Sequence, residues 1–392
     1  MRRSRSMIRT LNGNPLRSIP CLFWQPVICA ALLFSGLTVL DAAEMAAPAG
    51  KAEPATTETG SKWGVSPLLL PLYTPDTGWM IAGGGHMYYS PVQNPRRNRF
   101  SDVTAYFAYS QYEQKNLGLL SDLYFRDTKF RTPIELEFYD SPTFFYGIAD
   151  RQIPQTKYNS RGGRAITGLL YEWFPDFYFG GIFSIRREGY TRDGMAGLGS
   201  DYNTDGVPSV RSTGVGWQLA YDTRDNVFYT TRGQFIEARA LYFSSGALSD
   251  QTYSIHQFNY RTYVSLSAND IIALQSLLIF TSAQTPFADM ARLGGMYMLR
   301  GYFQGRYIHH NYWSAQVEYR RILIWRISAV AFLAVGDVYG SLRDLSFAGT
   351  EIAGGLGLRF ALDKEQRINF RLDTGVSRLG EVNSYFTIKE SF

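Results

Sequence analysis

Arg367-Ile-Asn-Phe-Arg-Leu-Asp-Thr-Gly375 is the stretch that decides the fold. Arg367, Asn369, Arg371 and Asp373 take alternate positions, and Ile368, Phe370 and Leu372 take the ones between. Successive side chains of a strand point to opposite faces, so this segment is a strand with one charged face and one oily face. The same period returns upstream. Ser314, Gln316, Glu318 and Arg320 alternate with Ala315, Val317 and Tyr319. Glu135 and Glu137 lie opposite Ile134, Leu136 and Phe138, and Gln257-Phe-Asn-Tyr-Arg261 repeats the pattern.

Two environments produce such strands. A soluble sandwich turns the oily face inward and the polar face to water. A membrane barrel turns the oily face to lipid and the polar face to its lumen. Three features favour the barrel. Charges sit in the middle of polar faces, where a lumen tolerates them. Aromatic residues gather near strand ends (Tyr88, Tyr89; Phe144, Phe145, Tyr146; Trp173, Phe174; Phe177, Tyr178), as interfacial girdles require. The sequence also finishes in a strand-like segment, Tyr385–Phe392, suited to pairing with the first. Sixteen segments can be counted, from 65–72 through 130–140 and 164–173 to 384–392. Short connections at 127–129, 174–176, 267–269 and 362–365 follow even strands, and long ones at 141–163, 190–212, 282–310 and 337–350 follow odd strands. That alternation is the loop asymmetry of outer-membrane barrels. The expected fold class is therefore all-β, an antiparallel transmembrane barrel of sixteen strands.

The start of the chain gives the compartment. Arg2, Arg3, Arg5, Arg9 and Arg17 precede an apolar run from Cys21 to Leu40, and small residues follow. This is the layout of a secretory signal peptide, with an uncleaved membrane anchor as the alternative. Cleavage after Ala43 would remove both cysteines, Cys21 and Cys29, and leave 34 basic and 33 acidic residues. Such a balance attracts no nucleic acid. Residues 1–43 are thus expected as leader, 44–62 as a flexible Ala/Pro/Thr-rich linker and 63–392 as the barrel.

Several blocks in the C-terminal part carry a resemblance. They are Tyr221-Asp-Thr-Arg-Asp-Asn226 with Gly233, Leu299-Arg-Gly-Tyr302, Phe332-Leu-Ala-Val-Gly-Asp-Val338, Gly355-Leu-Gly-Leu-Arg359 and Arg371-Leu-Asp373. In this order they resemble the bacterial surface antigen superfamily, which includes the barrels of BamA/TamA-type assembly factors and two-partner secretion transporters. The resemblance implies that the sixth external loop folds into the lumen with Arg300, Gly301 and Tyr302 at its tip. A desolvated arginine needs carboxylates, and Glu318 and Asp373 lie on lumen registers. Glu318 is the main candidate, because Ala334 stands where the family often has an acid. The plain alternative is that Arg300 is a solvated loop residue. Phe386, Ile388 and Phe392 resemble the C-terminal signal by which outer-membrane proteins are recognised for insertion, although Glu390 interrupts its alternation.

Other patterns carry less. Asp201-Tyr-Asn-Thr-Asp-Gly206 opens like a calcium loop, but Ser212 stands where the closing glutamate belongs, so an acidic external loop is the better reading. No metal site, cofactor site or catalytic set is expected, and the protein is not expected to be an enzyme. The functional expectation is outer-membrane protein assembly, insertion or translocation. A weak seam between first and last strands, the first being short, would template an incoming strand. Expected partners are outer-membrane lipid and the assembly machinery that inserts this barrel. A client protein, a periplasmic partner and a homodimer remain open. The rival function is a passive pore lined by Glu135, Glu137, Arg261, Arg320 and Arg371.

Overall fold

The computed structural model describes residues 62–90, 101–148, 156–192, 209–344, 349–364 and 367–392. The leader, the linker (Lys62 apart) and the Asp201–Gly206 segment lie outside these residues. The chain runs through β1 (Lys62–Thr74), β2 (Gly78–Ser90), β3 (Ser101–Ser110), β4 (Lys115–Phe125), β5 (Phe130–Phe145) and β6 (Thr156–Phe174). It continues with β7 (Phe177–Arg192), β8 (Val210–Asp222), β9 (Gly233–Phe243), β10 (Tyr253–Ser265) and β11 (Asp270–Thr281). A long connection carries the short β12 (Ala291–Leu293) and β13 (Tyr307–His309). Then come β14 (Asn311–Ile324), β15 (Ile327–Tyr339), β16 (Glu351–Asp363), β17 (Ile368–Ser377) and β18 (Val382–Ile388).

Sixteen of these strands close into one antiparallel barrel, in which β11 pairs with β14 and β1 meets β18. β12 and β13 pair separately. All sixteen segments expected from alternation are present. The faces also sort as a membrane requires. Ser314, Gln316, Glu318, Arg320, Asn369, Arg371 and Asp373 are buried, whereas Tyr319, Leu333, Leu356 and Leu358 on neighbouring positions are exposed. Leu356 is 69% exposed while Arg371 is 1% exposed. A soluble sandwich would show the reverse. No helix of the described residues is long and apolar enough to cross a membrane.

Some expectations need correcting. β5 runs to Phe145 and β6 starts at Thr156, so much of the anticipated 141–163 loop is strand. The aromatic girdle is only partly external. Tyr89, Trp173 and Phe174 are exposed, but Phe145 and Tyr178 are buried in the interior. Phe145 instead faces Phe287 of the long connection, with ring centroids 5.5 Å apart. Strand ends hold aromatics for two reasons, and alternation alone does not separate them.

The largest corrections concern the seam. β1 is not short: it pairs with β2 continuously from Lys62 opposite Ser90 to Thr74 opposite Gly78. The last strand is the short one. β18 stops at Ile388, and Lys389 takes a φ of 65° that turns the chain inward. The register between β1 and β18 is held at one pair, Tyr73 opposite Phe386, near the external end. β1 carries Pro67 and Pro71, which have no N–H to donate. Because β1 is fully paired to β2, those missing donors are tolerated on the edge that faces β18. Below Tyr73, β1 is therefore an open edge bearing exposed Trp63, Val65 and Leu69. Extending this register sets Pro71 opposite Ile388 and Pro67 opposite the inward tail, so a Pro71→Ala variant should add a rung at the end of β18. Amide exchange at position 71 is expected to be slower, by roughly tenfold or more, than at a free strand edge if that rung forms. Exchange as fast as at a free edge would show that proline does not set the gap.

Candidate functional site

The connection between β11 and β14 turns back into the barrel and is fixed at two places. At its first half, Phe287 packs with Phe145, Tyr158 and Tyr190, and Met290 and Ile308 join them. Asp289 accepts a 2.6 Å hydrogen bond from the Tyr253 hydroxyl and pairs with Arg186 at 3.1 Å. Arg186 also donates to the Ala288 carbonyl at 2.7 Å. These contacts hold the loop to β5, β6, β7 and β10.

The tip is held on the opposite wall. Arg300 is fully buried. Its guanidinium donates to Asp373 of β17 at 2.6 Å and makes a short contact with Glu318 of β14. The plane lies over the Phe332 ring of β15, 3.7 Å from the centroid. Two carboxylates and one ring thus replace the water that a buried cation loses, and a planar fork suits that geometry. Gly301 has a φ of 125°, and a Cβ there would meet the β17 backbone at Val376 and Ser377. Gly375 on that strand is equally constrained, because its Cβ would meet the Arg300 carbonyl. Two glycines face each other where loop and wall touch. Asn383 of β18 donates to the Gly301 carbonyl at 2.6 Å, and the Tyr385 hydroxyl of β18 donates to the Tyr302 carbonyl at 3.2 Å. The Tyr302 hydroxyl donates to Glu351 at 2.6 Å.

The predicted trio Arg300, Gly301 and Tyr302 is therefore brought together with both Glu318 and Asp373. The sequence-level preference for Glu318 understated Asp373, which takes an equal share. The terminal trio is split. Phe386 is on the outer face, stacked on Phe370 with centroids 5.4 Å apart, and Ile388 ends the strand. Phe392 lies inside, buried near Tyr263 and Ala273.

Residues that sequence reasoning missed join the anchor to this inward tail. Arg359 of β16 donates to Asp373 at 2.5 Å and to Glu390 at 2.7 Å. Asn369 donates to the other oxygen of Glu390 at 3.0 Å. Ser391 donates to Glu318 at 2.7 Å, and Arg320 reaches both Glu318 and the Phe392 carbonyl. Arg371 donates to Thr387 and to the Met296 carbonyl. The signal was Glu390 itself. A carboxylate breaking a lipid-facing alternation marks the point where the chain leaves the strand. Arg320 and Arg371 are thereby spent inside this network and do not face an open water column.

The loop between β8 and β9 closes the periplasmic side beside the tail. Asp225 accepts from Thr231 and pairs with Arg367 at 2.6 Å, and Asn226 caps Phe228 and Tyr229. Lys389 lies 4.9 Å from the Phe228 ring centroid. At the external end, Asp76 in the β1–β2 turn accepts from the Gln304 backbone at 2.6 Å.

A closed antiparallel barrel with charges inside, oil outside and a long loop pinned in its lumen is a transmembrane barrel of the outer-membrane type. A family model described as the Omp85 superfamily domain matches residues 101–376, and the chain belongs to that superfamily. It is a bacterial outer-membrane protein. Among solved structures, BamA from Haemophilus ducreyi lacking POTRA domains 1-3 is 12% identical with a TM-score of 0.58, over 84% of this chain and 70% of that one. CdiB from Acinetobacter baumannii is 13% identical with a TM-score of 0.52, over 83% of this chain and 65% of that one. At these identities the likeness is one of fold. A search of curated proteins returns no significant match.

Two outcomes follow. Arg300→Ala leaves Glu318 and Asp373 facing each other's charge in a dry site and should cost roughly 3–5 kcal/mol of barrel stability. Arg300→Lys should recover little of it, because an ammonium does not span two carboxylates as a fork does. Denaturant midpoints of the folded barrel in detergent measure both. The second concerns pH. Burial pushes the Asp76 carboxyl up to about 7, against the opposing pull of the Gln304 amide. A carboxyl raised above its unfolded value favours the fold below that value and loses the contribution as pH rises through about 7. Protease cleavage within 294–306 should therefore increase from acidic to alkaline pH. Asp76→Asn should abolish that dependence.

Proposed function

We propose that this barrel assists the insertion or translocation of other polypeptides at the outer membrane, using the open edge of β1 as a template. The observation that carries the reading is the seam. One register pair closes a barrel whose other ladders are long, and the edge it leaves bare is apolar. An exposed strand edge pairs readily with a further strand. The pinned loop braces β14 to β18 from inside, so the wall keeps its shape while the seam parts. The inward tail holds the last strand short, and its release would offer β18 more length for pairing. The similarity to BamA and CdiB supports a role of this kind, whereas the client and any periplasmic partner lie beyond it.

The test is a covalent seam. Tyr73→Cys/Phe386→Cys places two thiols on directly opposed positions, a spacing compatible with a disulfide. Oxidised protein reconstituted in vesicles should lose the ability to promote membrane insertion of an added outer-membrane barrel protein, and reduction should restore it. Equal activity in both states would end the seam reading. Large, steady conductance in planar bilayers, insensitive to the crosslink, would favour the passive pore.

A further inference from the structure

The outer surface of β5 to β8 holds a feature that the seam and the anchor do not use. Phe138, Gly163, Arg187 and Arg211 are successive cross-strand partners on it. Arg161 lies two positions further out on β6, between Asp140 and Gly189. Ser160 and Glu188 hydrogen-bond inside the barrel, so Arg161 and Arg187 point outward. Both are exposed. Among the described residues neither makes an ion pair, whereas Arg211 is held by Asp250 at 2.9 Å. Asp140, the cross-strand partner of Arg161, accepts from Asn159 at 2.8 Å.

Height matters here. Arg187 stands ten residues above Phe177 at the periplasmic turn. At about 3.3 Å per residue and a tilt of about 40°, that is roughly 25 Å, the height of the apolar band. The two arginines therefore sit where lipid headgroups of the external leaflet lie. Both arginines line a groove of about 570 Å³ whose apolar part is formed by Leu136, Phe138, Ala165 and Ile185, nearer the periplasmic end of the strands. The Phe138 ring lies over Gly163, and the small Ala165 lowers the floor between that ring and the Ile185 side chain. The external ends of β16 and β17 present Ile352 and Val376 instead.

We propose that this face binds a phosphate-bearing lipid of the external leaflet, with its phosphate on Arg161 and Arg187 and an acyl chain in the groove below. Guanidinium forks match phosphate oxygens bidentately. An unpaired arginine at the rim gains most from a fixed anion, and the groove accepts a chain already embedded in the same leaflet. The occupant is a lipid rather than free phosphate because the cationic and apolar parts are continuous.

The experiment is native mass spectrometry of the full chain in detergent with added lipid A, a bis-phosphorylated glycolipid. Wild-type barrel should retain it, and R161Q/R187Q should bind roughly tenfold more weakly. A165F, which fills the groove, should also bind more weakly. Heat-modifiable migration of each variant confirms folding. Equal retention of the same glycolipid stripped of phosphate would overturn the headgroup assignment. Displacement by inorganic phosphate, or full binding by A165F, would make the site a free-anion site and overturn the lipid. Undiminished binding by R161Q/R187Q would remove the site altogether.

Discussion

The structure rests on the compensation of a buried charge. Arg300 is fully buried away from bulk solvent, so the surrounding side chains supply much of what water would. Glu318 and Asp373 give negative charge, Phe332 gives its ring face, and Gly301 and Gly375 give the room to approach. Desolvating an ion costs several kcal/mol, and only a set of partners with good geometry repays it. Remove any one and the others become liabilities. The loop is thus held by necessity rather than by a surplus of contacts.

The same network reaches the seam. Glu318 is shared between Arg300, Arg320 and Ser391, and Arg359 ties Asp373 to Glu390. The strand that closes the barrel weakly is therefore the strand whose continuation is bound most strongly inside. Pro67 and Pro71 work from the other side by denying donors to the ladder. Weak pairing here has a chemical cause on both strands.

Much of this was legible in the sequence. Alternation revealed the sixteen strands because a membrane barrel needs opposite chemistry on its two faces at every step, as Arg371 between Phe370 and Leu372 shows. The anchor was suggested by the resemblance that Leu299-Arg-Gly-Tyr302 carries, and the lumen registers of Glu318 and Asp373 supplied its candidate partners. The inward tail was not. Phe392 fits an outer-facing pattern as well as an inner one, and only the φ of Lys389 decides between them. The role of Phe144 and Phe145 was likewise hidden, since an aromatic at a strand end serves lipid or loop with equal ease. Phe144 in fact meets Phe303 of the loop at 5.8 Å. Long-range partners such as Asp76 and Gln304, far apart in the chain, leave no local trace.

The walls of the Arg300 pocket come from β14, β15 and β17, with Asn383 and Tyr385 of β18 completing its floor. These segments all follow the loop in the chain. The tip therefore has no complete pocket until the last strand is in place, although the Phe287 half of the loop has its partners on the earlier strands β5, β6, β7 and β10. A seated Arg300 thus requires a whole cylinder.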